Sequence, residues 1–339
     1  MQWLRHLSAF CRDRELQPVS GQFVLRRLVQ VIPTMIGVVL IAFLLIHLAP
    51  GDPVVALAGE HGDAEYYAFM RERFGLDRPL PQQLATYFAR VATGDLGVSY
   101  VHGRSTLGVI MERVPATLLL TGTALMLAVL ISVPLGAIAA RSPGRVRDLG
   151  INSVALFLYS APVFWVGQIA ILFLAFQLDL FPVQGMTSAG SATKGLARMF
   201  DIMRHLALPA LVLASQELAV LVRLTRSGLI DELARDHVRT ARAKGVGELL
   251  VIARHAMPRA LMPAITVIGA RTGQLIAGAA VVEIVFGWPG IGRLLVTSLQ
   301  ARDTPVLLGL FTMISFAVVV ANFVTDLVHA AIDPRIRLG

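Results

Sequence analysis

Cysteine and lysine are nearly missing from this chain: Cys11 stands alone, and Lys194 and Lys244 are the only lysines. A single thiol excludes an internal disulfide framework and a thiolate metal centre. The phosphate loop G-x-x-x-x-G-K-[ST] is absent, as are H-E-x-x-H and G-x-S-x-G. That leaves no recognisable route to ATP hydrolysis, metallopeptidase or serine-hydrolase chemistry. No catalytic residue, no metal site and no cofactor on the chain itself is expected. Charge is scarce too, at 15% of residues against 55% hydrophobic, where a soluble domain is about one-quarter charged.

What is present is apolar length. The mean hydropathy is +0.69, and apolar runs of about 20 residues, enough to cross a bilayer, recur along the chain. Six stretches, at about 25–49, 116–140, 149–177, 205–226, 261–283 and 305–331, predict an all-α membrane protein with six transmembrane helices. Helices are required because lipid offers no partner to backbone N–H and C=O groups. The run from Leu28 to Leu48 is too long for the core of a cleaved signal peptide and reads as the first span.

The net charge of +8 would suit nucleic acid, but the arginines sit in the connections between apolar runs. That is a topological pattern, and no nucleic-acid partner is expected. One set of alternate connections holds Arg5, Arg12, Arg14, Arg26 and Arg27, then Arg141, Arg145 and Arg147. It continues with Arg223, Arg226, Arg235, Arg239, Arg242, Lys244, Arg254 and Arg259, and ends with Arg335 and Arg337. The short connections of the other set carry only Lys194, Arg198, Arg204, Arg293 and Arg302. Both termini are therefore expected in the cytoplasm, with residues 1–24 as a basic cytoplasmic extension and 25–339 as the membrane domain. The long first connection (about 50–115) then faces outward. Within it Leu80, Leu84, Tyr87, Phe88 and Val91 fall at helical spacing after Pro79, predicting an amphipathic helix on the outer face. It ends at Gly94-Asp95-Leu96-Gly97 and serves either as packing or as a surface for a delivery protein.

The connection at about 228–260 is the most informative segment. Arg235, Arg239 and Arg242 recur at i, i+4 and i+7, so a short helix carries them on one face. Gly245 ends that helix, and a second short helix leads to His255-Ala256-Met257-Pro258. One reading is a solvated basic loop in which Asp231, Glu232 and Asp236 make ordinary surface pairs. The other is a rigid projection able to transmit force.

The run Arg239-Thr240-Ala241-x-x-x-Gly245, followed after nine residues by His-Ala-Met-Pro, resembles the EAA loop of ABC-importer permeases, with Arg239 and Thr240 replacing the usual Glu and Ala. Four further motifs look like B-type permeases of the dipeptide/oligopeptide/nickel branch: His47-Leu48-Ala49-Pro50-Gly51-Asp52-Pro53, Phe74-Gly75-Leu76-Asp77, Glu283-x-x-Phe286-x-x-Pro289-Gly290-Ile291-Gly292 and Asp333-Pro334-Arg335-Ile336-Arg337. The resemblance runs from Gln22 onward and implies the type I importer permease fold. It also implies that Asp236, Arg239, Thr240, Ala241, Arg242, Lys244, Gly245 and Pro258 couple the chain to a motor. The partners it implies are a C-type permease, two ATP-binding cassette ATPases that bind ATP and magnesium, an extracytoplasmic substrate-binding protein and the bilayer of the bacterial inner membrane. The implied cargo is a di- or oligopeptide; nickel chelates, glutathione or another small solute are the alternatives.

Two charges fall inside expected spans, Glu217 in the fourth and Arg271 in the fifth. Each costs at least about 2.5–3.5 kcal/mol at bilayer depth, so each must face protein or water. They lie at similar depth and either pair to fix helix packing or line the pathway. A self-sufficient proton-coupled carrier would use them as a relay. Glu283 opens a motif at the outer mouth and is either a gate, a contact for the delivery protein or a helix cap. His47, Asp326 and His329 read as satisfied groups near span ends, and Tyr159, Phe164 and Trp165 around Pro162 as a kinked, packed helix.

Overall fold

A computed structural model describes residues 21–48, 64–188, 190 and 194–332. The basic extension before Gly21, the Asp52 motif and the tail motif from Asp333 lie outside the described residues, as do the side chains of His47, Asp326 and His329.

Among the described residues the expected spans are helical apart from a break at Ala161 and Pro162 in the third. The helices are α1 (Gly21–Leu48), α2 (Ala64–Phe74), α3 (Leu80–Ala92), α4 (Thr106–Met111), α5 (Val114–Ala140), α6 (Val146–Ser160), α7 (Val163–Ala170), α8 (Leu196–Leu233), α9 (Asp236–Ala243), α10 (Met262–Val285), α11 (Ile291–Gln300) and α12 (Thr304–Ile332). A wider π-type turn, Ile171–Gln177, continues α7. Among the described residues, the stretches 106–140, 196–233 and 304–323 are each long and apolar enough to cross a membrane, and α6 with α7 forms a fourth, bent candidate. The other two expected spans are α1 and α10, of 28 and 24 residues, parts of whose side chains lie outside the described residues.

The core forms where α5 and α8 cross. Along α5 the residues Leu120, Ala124, Ala128, Ser132 and Gly136 recur every fourth position and are buried. Small residues at that spacing let two backbones approach closely, which is the main source of helix association in lipid. At Gly136 a Cβ would lie 2.7 Å from the Cβ of Thr225 on α8, so glycine alone fits. With 38 residues, α8 is about 57 Å long at 1.5 Å per residue, well beyond a bilayer core of about 30 Å. It starts earlier than expected and continues to Leu233, so the start of the arginine-rich connection is helical. Leu229 there is buried beneath α9.

The third span is not one kinked helix. α6 and α7 meet at 105°. Proline forces the residue before it out of the helical region, and Ala161 is accordingly extended, at φ −74° and ψ 137°. Phe157 and Trp165 stack edge-to-face across the break, ring centroids 6.5 Å apart.

At the end of the bundle opposite the arginine-rich connection, α3 half-buries Leu84, Tyr87, Phe88 and Val91 as its spacing predicts, while Leu80 at its first turn stays exposed. Leu84 and Tyr87 rest on Ala42, Phe43 and Leu308, and Tyr87 Oη is 3.0 Å from Thr312 Oγ1. Burial raises the Tyr87 phenol pKa.

Candidate functional site

Three places carry the expected functional residues: the arginine-rich projection, an ion pair inside the bundle and Glu283 at the start of α11. In the projection, α9 has two unlike faces. Val238 and Ala241 are buried against Leu229, Val251, Ile252, Ala256 and Ala260. The opposite face presents Asp236, Arg239 and Lys244 to solvent. Arg239 and Asp236 approach to 3.6 Å at 72% and 97% exposure, a pair worth about 0–1 kcal/mol, so Arg239 remains available to a partner.

Arg242 differs from its neighbours. Its Nε and Nη2 donate to Glu248 Oε2 and Oε1 at 3.0 and 2.7 Å, and its Nη1 reaches the Leu233 carbonyl at 3.4 Å. This fork bolts α9 to the helical stretch that follows, and the Arg242 bond lowers the Glu248 pKa. Gly245 turns the chain between them at φ +77°, its N–H donating to the Arg242 carbonyl at 2.9 Å. Thr240 Oγ1 folds back onto the Asp236 carbonyl at 2.9 Å. Pro258 sits in the first turn of Met257–Ala260, where its missing N–H costs nothing. The three arginines are therefore not equivalent: Arg235 precedes α9 in an extended conformation, Arg239 is free to solvent and Arg242 is structural.

Glu232 is not a surface acid. It is buried, with His237 Nε2 at 3.3 Å and Arg235 and Arg259 each at 3.6 Å. Asp148 on α6 is likewise buried. It takes a fork from Arg226 at 2.6 and 2.7 Å, and its carboxylate also accepts from Gly144 N and Asn152 Nδ2, each at 2.7 Å. This clamp ties the connection before α6 to α8, and sequence spacing gave no sign of it. Nor did spacing reveal that Val146 and Leu149 in the first turn of α6, and Leu249 and Leu250 in the arginine-rich connection, are exposed at this same end.

Within the bundle, Glu217 and Arg271 meet. Arg271 Nη1 donates to Glu217 Oε2 at 3.0 Å, with 23% and 9% of the two side chains exposed. The Arg271 Cζ lies 6.0 Å from the centroid of the Tyr159 ring, a distance at which a cation is attracted to an aromatic face.

Glu283 is fully buried. Its carboxylate accepts from Thr117 Oγ1 at 2.5 Å and from the N–H groups of Gly292 and Arg293 at 2.7 and 3.1 Å. Thr117 Oγ1 in turn accepts from Ile291 N at 2.8 Å. A carboxylate on free N–H groups at a helix start is a cap, and that is the geometry at α11. Nearby, Trp288 Nε1 donates to the Ala116 carbonyl at 2.8 Å. Asp303, buried at the start of α12, holds the 98–105 connection by accepting from Ser99 Oγ at 2.5 Å and Tyr100 N at 3.1 Å. Burial and then the Asp303 charge push the Tyr100 phenol up to about 12.

The comparisons with known proteins agree with this architecture. Residues 132–338 match the family described as "Binding-protein-dependent transport system inner membrane component", and residues 21–121 match its N-terminal companion. The chain is 40% identical over 337 residues to a dipeptide transport system permease protein of Escherichia coli strain K12, covering 93% of this chain and 98% of that one. It is 36% identical to an oligopeptide transport system permease protein of Bacillus subtilis, covering 93% and 99%. It is 37% identical to a glutathione transport system permease protein of Escherichia coli, covering 93% and 98%. Among solved structures, an inward-facing MetNI methionine ABC transporter chain superposes with a TM-score of 0.53 over 67% of this chain and 97% of that one, at 14% identity. The fold is thus that of ABC-importer permeases, and this chain belongs to the binding-protein-dependent transport system inner membrane component family.

Proposed function

We propose that this chain is the B-type permease subunit of an ATP-driven importer of di- and oligopeptides, forming half of the translocation pathway in a bacterial inner membrane. The other half is a C-type permease. Two cytoplasmic ATPases bind ATP and Mg²⁺, and an extracytoplasmic binding protein delivers the peptide. Both termini lie in the cytoplasm, so the projection at 234–260 faces the ATPases.

The observation that carries this reading is the construction of α9. Its inner face is locked to the membrane domain by Val238 and Ala241 and its end is bolted by Arg242, while Asp236, Arg239 and Lys244 project free. A rigid rod with an open charged tip passes displacement to helices without loss in loop motion. Its neighbours Leu249 and Leu250 add apolar surface for a docking partner. Closure of the ATPases on ATP would pull α9 and rock the helices into an outward-open arrangement.

The test is reconstitution of the subunits with the binding protein in proteoliposomes. Uptake of labelled peptide should require ATP, and Gly245→Asp should abolish both uptake and stimulated ATPase activity while the complex still assembles. Normal transport by that variant would sink the assignment. The similarity to a glutathione permease favours one second reading, the same machine carrying glutathione, and competition between dipeptide and glutathione in this assay decides it. Transport by the purified chain alone would instead point to a proton-coupled carrier.

A further inference from the structure

The break in the third span and the buried ion pair belong to one site. Pro162 has no N–H, so the carbonyl of Leu158 loses its helical partner, and the side chain of Gln216 donates to it at 3.3 Å. The next residue on α8 is Glu217, which holds Arg271 of α10, and Arg271 lies against Tyr159, one residue after Leu158. Irregular backbone and ionised groups are each tolerated at bilayer depth only inside protein or beside water. Here they converge on three helices, an arrangement that membrane carriers use to meet a polar solute near the midplane.

The pair is lopsided in a way that packing does not require. Glu217 is the buried partner, whereas 23% of the Arg271 side chain is exposed and Tyr159 beside it is 42% exposed. Contact with Glu217 is end-on through Nη1, unlike the two-pronged fork of Arg226 on Asp148. Glu217 also cancels most of the charge of Arg271 as seen from outside. A neutralised cation attracts an anion weakly, and a station on a transport path must both admit its solute and let it leave.

We propose that Arg271, backed by Glu217 and flanked by Tyr159, is a station for the carboxylate of a peptide in transit. This deepens the importer reading above and rests on it. The reconstituted complex tests it, with the binding protein saturated by either a free-acid peptide or its C-terminal amide. Three variants are compared: Arg271→Gln, Arg271→Lys, and Glu217→Gln with Arg271→Gln, which removes both charges and strands neither. Import of the acid should fall about tenfold, some 1.4 kcal/mol, in Arg271→Gln and in the double variant. Import of the amide should change less than about twofold, and Arg271→Lys should keep the preference for acid over amide. Equal losses for both peptides in the double variant, unchanged import of the acid, or failure of the double variant to assemble would overturn the station in favour of packing. A wild-type complex importing neither peptide would refute the importer reading itself, and this inference with it.

Discussion

Gln216 stands in for a missing backbone donor: its Nε2 reaches the Leu158 carbonyl at 3.3 Å, the acceptor that Pro162 cannot serve. The cost of an unpartnered carbonyl in lipid, more than any apolar contact, explains a glutamine at this depth. Gln216→Leu should destabilise by about 1–3 kcal/mol. Adding Pro162→Ala, which restores an N–H, should recover part of that loss. Thermal unfolding of the detergent-solubilised complex measures both, and equal destabilisation by the single and double variants would refute the account.

Arg242 and Glu248 hold the α9 projection together, and their bond has a defined pH window. The folded-state pKa of Glu248 is lowered below its ordinary value of 4.5, chiefly by the Arg242 bond. Its stabilising contribution is therefore fully present above pH 4.5 and disappears as the pH falls through the lowered folded value. Hydrogen exchange across 236–250, corrected for intrinsic rates, should be flat from pH 7 to about 5 and accelerate only below that window. Glu248→Gln should show faster exchange throughout. Because the pair is half-exposed, high salt should weaken it as well.

Glu283 caps α11 from inside the protein, so its loss should appear as stability before it appears as specificity. Glu283→Ala strands Thr117 Oγ1, the buried N–H of Gly292 and the part-buried N–H of Arg293 and should cost roughly 3 kcal/mol, while Glu283→Gln, which keeps an acceptor, should cost less. Altered uptake kinetics at unchanged melting temperature would point to a gate instead.

Asp303 pins the 98–105 connection through Ser99 and Tyr100. Asp303→Ala should expose the bond after Arg104 to trypsin, raising limited proteolysis there several-fold relative to the unaltered complex. No change in that cleavage would show that the connection is held by other contacts.

Much of the fold was legible because it rests on local properties. Apolar length placed α1, α5, α8, α10 and α12, and the spacing of Leu80, Leu84 and Tyr87 placed α3. Gly245 marked the end of α9, as its φ of +77° requires. The site was legible only in part. Glu217 and Arg271 stood out because charge is costly in lipid, yet depth alone left pairing and lining open. Glu232 read as an ordinary surface acid in one account of the connection, and Asp148 drew no reading at all, because nothing local distinguishes a buried carboxylate from an exposed one.

The near absence of lysine and cysteine, the missing phosphate loop and the run of long apolar segments by themselves determined a helical membrane protein with no recognisable ATPase motif. Those are properties of composition and short-range spacing, which no later packing can alter. Tertiary structure alone decided that α6 and α7 part at 105° with Gln216 serving the freed carbonyl. It alone decided that Arg271 meets Glu217 and that Glu283 turns inward onto α11. Each depends on which face of one helix meets which face of another, and such contacts join residues far apart in the chain.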